Sequence, residues 1–87
     1  MKWNYRVIKT RTPAWNQGSS TETIWEEQSE IYEVYYDNDG FVKCWSANPI
    51  SPSGDSLYWL KWDLQKMLEA TEKPIINIED LKVGVKL

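Results

Sequence analysis

One stretch of this chain, and only one, repeats with the period of an α-helix. On a wheel of about 100° per residue, Leu57, Leu60, Leu64, Met67 and Leu68 fall within an arc of about 100°. Helix punctuation bounds the stretch. Ser56 is a good N-cap, and Asp55 sits where the helix dipole favours a negative charge. Pro74 cannot continue the helix. A helix over residues 57–72 is predicted, with its leucine stripe against the rest of the fold.

The rest of the pattern has a period of two. Trp3, Tyr5 and Val7 share one face of a first strand. In residues 30–36, Tyr32, Val34 and Tyr36 alternate with Ile31, Glu33 and Tyr35. Asp37-Asn38-Asp39-Gly40 is a turn tetrad, and residues 41–46 return as a strand. An antiparallel hairpin over 31–46 is predicted. Residues 11–23 are turn formers and small polar residues and read as a long loop carrying Trp15. Residues 48–54 hold two prolines and a glycine and form an irregular connection. Ile75-Ile76-Asn77-Ile78 reads as a short last strand or as chain packed on the core, and 79–87 as an extended tail. The fold class is therefore α+β: one domain over residues 1–87, a small antiparallel sheet of three or four strands with one helix on one face.

Length makes such a domain modest in stability, since a chain of 87 residues buries roughly 60–65% of its unfolded surface. Six Trp and five Tyr are more rings than one helix and a few strands readily hide. Exposed Trp is enriched where proteins touch other molecules. Cys44 has no pairing partner in the chain and the N-terminus has no apolar signal region. No apolar run reaches the length of a membrane span. A cytoplasmic location, with no membrane contact, is the expectation.

Charge is unevenly placed. Residues 1–11 carry Lys2, Arg6, Lys9 and Arg11 and no acid; residues 12–42 carry seven acids and no base. A basic first strand beside an acidic second strand would face opposite charges across the ladder. An acidic surface for a basic target is the alternative. Nucleic acid is an unfavoured partner, because phosphate binding needs a basic patch and the middle of the chain is acidic.

Catalytic chemistry finds little material. The chain has no His, which removes the commonest base and metal ligand and every Ser-His or Cys-His pair. Cys44 lies inside a predicted strand and reads as a packing residue. Residues 37–40 fail as a calcium loop, because Tyr35 and Ser46 would stand at its first and twelfth positions. The paired carboxylates Glu26-Glu27 and Glu30 with Glu33 read as surface charges. No catalytic, cofactor or metal residue is assigned, and a non-enzymatic domain is expected.

One feature resists this bland reading. With Leu57 at 0°, Trp62 lies near 140° and Trp59 near 200°, opposite the leucine stripe, with Lys66 and Lys73 between them. Two indoles framed by lysines have the make-up of an interface core with a polar rim. Trp59, Trp62, Lys66 and Lys73, with Trp15 from the loop, are the candidate interface residues, for a second copy or a protein partner; cover of the two rings by residues 11–23 or by the C-terminal tail is the alternative.

The residues Glu33-Val34-Tyr35-Tyr36-Asp37, Gly40, Trp45 and Asn48-Pro49 resemble the start of a pattern shared by a family of short uncharacterised bacterial proteins. The pattern continues through Pro52-Ser53-Gly54-Asp55-Ser56-Leu57, Leu60-Lys61-Trp62-Asp63-Leu64, Met67-Leu68-Glu69-Ala70 and Lys73-Pro74. It spans about residues 30–76 and implies a shared fold and no particular activity. The chain departs from the pattern at Tyr58 and Trp59, where acidic residues would complete a capping box. Three antiparallel strands and a helix opening at Gly54-Asp55-Ser56 are also similar in topology to antitoxin domains of HicB type. That likeness implies an antitoxin or inhibitor role as an alternative, although the characteristic second-strand sequence of those domains is missing. A small-molecule domain with an aromatic pocket between sheet and helix is a further alternative.

Overall fold

The first two period-two runs pair with each other over their whole length. The computed structural model describes residues 2–13 and 24–87. Within them, β1 (Lys2–Pro13) and β2 (Trp25–Tyr36) form a twelve-pair antiparallel ladder, from Lys2 opposite Tyr36 to Pro13 opposite Trp25. β3 (Val42–Trp45) returns antiparallel to β2. A short β4 (Ile76–Asn77) joins the other side of β1 in parallel, with Ile8 opposite Ile76. The sheet is thus mixed, in the order β3-β2-β1-β4, and carries one helix, α1 (Leu57–Thr71). The protein is a small α+β domain.

The predicted hairpin closes where expected. Asp37 N–H donates to Phe41 O at 2.9 Å and Gly40 N–H to Asp37 O at 3.1 Å. The Asp37 carboxylate accepts from the Asp39 and Phe41 amides, both at 3.0 Å. Gly40 sits at φ 89°, in the left-handed region that side chains disfavour.

β1 runs further than expected. Residues 11–13, assigned to a loop from composition, belong to the strand; the remainder of that loop, with Trp15, lies outside the described residues. Cross-strand charge supports the extension. Lys9 and Arg11 both approach Glu27, at 3.6 and 3.9 Å, and the Arg11 guanidinium lies 5.2 Å from the centre of the Trp25 ring. The basic strand does face the acidic one.

Alternation gives the sheet two unlike faces, each with its own small core. One face presents Ile8, Val34 and Val42, closed by Ile76 and Leu81, with Tyr32, Tyr36, Trp45, Ile78 and Val85 around them. Its cover is the C-terminal segment, tied to β3 by Val42 N–H to Val85 O and Gly84 N–H to Val42 O, both 2.7 Å. The other face presents Tyr5, packed under Met67 and Ala70 of α1 with Ile31 and Ile50 beside them.

The leucine stripe does not face the sheet. Leu57, Leu64 and Leu68 are 48–66% exposed, and the buried residues of α1 are Asp63, Met67 and Ala70. On the wheel the helix is turned by about 80–90° from the orientation its leucines predict. The cause lies in which face it covers. The aliphatic face is taken by the C-terminal segment, so α1 meets the face carrying the Tyr5 phenol. A buried hydroxyl needs a hydrogen-bonding partner, and the helix turns the Asp63 carboxylate toward it. Ala70, with its short side chain, lets the helix approach closely one stretch further along.

Candidate functional site

The helix entry fixes the site's geometry. Ser56 caps α1, its hydroxyl accepting from Trp59 N–H at 3.4 Å, as its residue type predicts. Gly54 lies directly on the first helical turn: a Cβ there would stand 2.4 Å from Leu60 N and 2.6 Å from the Trp59 carbonyl carbon. Only glycine permits that approach, and it brings the Ser53 amide within 3.0 Å of Asp63 Oδ2. The other carboxylate oxygen, Oδ1, accepts from the Tyr5 hydroxyl. Asp63 therefore ties together the connecting loop, the helix and β1.

This tie sets the protonation of Tyr5. Burial, the bond to Asp63 and the nearby Asp63 charge push its phenol well above the ordinary value of 10.0. Glu33, opposite Tyr5 across the ladder, accepts from the Tyr35 hydroxyl, and this bond raises the Tyr35 phenol in turn. Both rings are held as neutral donors. Each Asp63 oxygen thus holds one donor, and the carboxylate anchors the helix to β1 and to the connecting loop.

Beside the anchor, sheet and helix part to leave a groove of about 460 Å³. Trp3 and Tyr5 of β1 form one wall; Trp62, Lys66, Glu69 and Lys73 of α1 and its C-terminal end form the other. Trp3 meets Tyr5 edge-on at 5.1 Å. Trp62 meets Trp59 edge-on at 6.1 Å, and Trp59 meets Tyr58 at 5.0 Å, so an aromatic row leads up the helix from the groove. The Lys66 ammonium lies 5.6 Å from the centre of the Trp62 ring and 3.3 Å from Glu69. Lys73 has no carboxylate within 4.0 Å among the described residues.

Of the five candidate interface residues, the structure gathers Trp62, Lys66 and Lys73 in the groove and sets Trp59 at its edge; Trp15 lies outside the described residues. Trp59 and Trp62 are both exposed, as expected, although the premise of that expectation, a leucine stripe against the sheet, does not hold, and Trp59 lies only about 20° from the buried Ala70 on the wheel. Trp3 and Tyr5 were legible as a strand face but not as a wall, because nothing in the spacing tells which strand the aromatic side of α1 adjoins. Asp63 carried a usable signal: it is in phase with Met67 and Ala70 on the wheel, a carboxylate inside an otherwise apolar arc.

No protein-family model, curated protein or solved structure matches this chain. Among the described residues there is no group of three or more Cys, Asp or Glu placed to hold a metal ion, and no helix long and apolar enough to cross a membrane. Cys44 is exposed on β3 rather than packed, a departure from its expected role as a core residue; its partner across the ladder is Tyr35, on the face not covered by the C-terminal segment.

Proposed function

We propose that this protein is a non-enzymatic binding domain that acts through protein contacts, docking an acidic segment with an apolar anchor residue in the groove between β1 and α1. The observation that carries this reading is the exposed row Tyr58, Trp59 and Trp62 running into a groove that holds Trp3, Lys66 and Lys73. Aromatic anchors of this kind supply most of the energy at protein interfaces, and lysines at the edge select a partner of opposite charge. Lys73 is the more available cation, since Lys66 is already matched by Glu69.

The groove's volume of about 460 Å³ also suits a small ligand, and a planar anionic molecule stacked on the indoles is the second reading. The antitoxin or inhibitor reading through an acidic strand has less support, because Glu27 is matched by Lys9 and Arg11 on the same ladder. A random peptide library selected on the immobilised protein tests the proposal. Enriched peptides should carry Asp or Glu close to a large apolar residue. Their affinity should fall at least about tenfold in Trp62→Ser and in Lys73→Glu. Absence of that enrichment, or equal binding by both variants, refutes the docking site. Saturable binding of aromatic carboxylates with no peptide selection would establish the second reading instead.

A further inference from the structure

The other side of α1 carries a surface that the aromatic groove does not use. Leu57, Leu64 and Leu68 stand exposed along one line of the helix, beside a second groove of about 470 Å³ whose walls include Ile31, Ile50, Pro52, Leu64, Met67 and Leu68. Leu57, Leu60, Leu64, Leu68 and Thr71 recur at spacings of three and four residues, as along a seam between paired helices. We propose that this seam is the interface of a homodimer, in which α1 packs antiparallel against α1 of a second copy.

The seam's own sequence selects a second copy as its occupant. In an antiparallel pair with a two-fold axis through the level of Lys66, a residue n places before 66 lies opposite the residue n places after it. Leu64 then meets Leu68 of the second copy and Leu68 meets Leu64. On the outer flank of the same seam, Lys61 comes within one residue of Glu72 of the second copy, and the axis repeats the pair. Lys61 and Glu72 are both exposed, and neither forms an ion pair among the described residues. The Leu64–Leu68 contacts and the Lys61–Glu72 pairs therefore arise under one and the same operation. A parallel pair would instead set Lys61 beside Lys61 and Glu72 beside Glu72. The net charge of −3 adds little repulsion between copies.

Sedimentation equilibrium of the full chain at high micromolar concentration is the test, with circular dichroism to confirm folding. Wild type should show twice the 10.3 kDa of one chain. Leu68→Asp, at an exposed site, should stay folded and dissociate at least about 30-fold more readily. Lys61→Glu should weaken the dimer roughly 3- to 10-fold, and Lys61→Glu with Glu72→Lys should restore it. A monomeric wild type, a Leu68→Asp variant that still dimerises, or a failure of the double charge reversal to restore association would overturn the proposal. So would a folded Trp59→Ser, Trp62→Ser variant that loses the dimer, since it would move the interface to the aromatic side.

Discussion

Asp63 and Tyr5 form the contact on which the helix's orientation depends, and removing either partner separates this from simple apolar packing. Tyr5→Phe keeps the ring and its place under Met67 and Ala70, but leaves Asp63 Oδ1 buried without its donor. A hydrogen bond to a charged group contributes about 1.5–3 kcal/mol. Asp63→Ala loses that bond and the one from Ser53, and strands two donors, for about 3–4 kcal/mol. A domain of this length has a total stability of roughly 4–13 kcal/mol, so both variants should fold. At about 4–8 °C of melting temperature per kcal/mol, Tyr5→Phe should melt roughly 8–16 °C lower if its cost is about 2 kcal/mol. Chemical denaturation of wild type, both single variants and the double variant closes a cycle. The coupling should be about 1.5–3 kcal/mol, because the double variant no longer holds an unmatched carboxylate. Additive losses, with coupling under about 0.5 kcal/mol, would show that Asp63 does not hold the helix through Tyr5.

Three further outcomes rest on the same geometry. Met67→Ala should cost about 2–4 kcal/mol and Leu64→Ala, in dilute solution, about 1 kcal/mol or less, since the former is buried and the latter half-exposed; denaturant melts that reverse this order would restore the leucine stripe to the core. Gly54→Ala should destabilise by at least about 1–3 kcal/mol, because its Cβ meets helix backbone that cannot give way, and a neutral result in thermal melts would place the loop elsewhere. Tyr5, Tyr32 and Tyr35 all have phenols raised above the ordinary value, by burial first for Tyr5 and Tyr32 and by the Glu33 bond first for Tyr35. The folded state then holds protons that the unfolded state has lost, so stability is full below about pH 10 and falls above it. Unfolding followed against pH should show this decline, reduced in Tyr5→Phe; stability that rises above pH 10 would contradict it.

Local pattern alone determined much of this protein. The strand alternation fixed which residues share a face, the Asp37 to Gly40 turn fixed the hairpin, and Ser56 and Pro74 bounded the helix within about a residue. These are properties of a few neighbouring residues, and short-range sterics and hydrogen bonding decide them. An exposed pair at Trp59 and Trp62 was legible, but from a premise, the leucine stripe against the sheet, that the buried Asp63, Met67 and Ala70 overturn. Which side of α1 meets the sheet was not legible. Hydrophobicity ranks Leu64 and Leu68 above Ala70 and Asp63, yet the latter pair is buried. That choice depended on two long-range facts: the C-terminal segment occupies the aliphatic face, and the face left for the helix carries a phenol that must be satisfied. No window of sequence contains both. A helix can turn about its own axis at little local cost, so its orientation is set by the partners that tertiary structure brings to it, and here the partner was a hydroxyl 58 residues away.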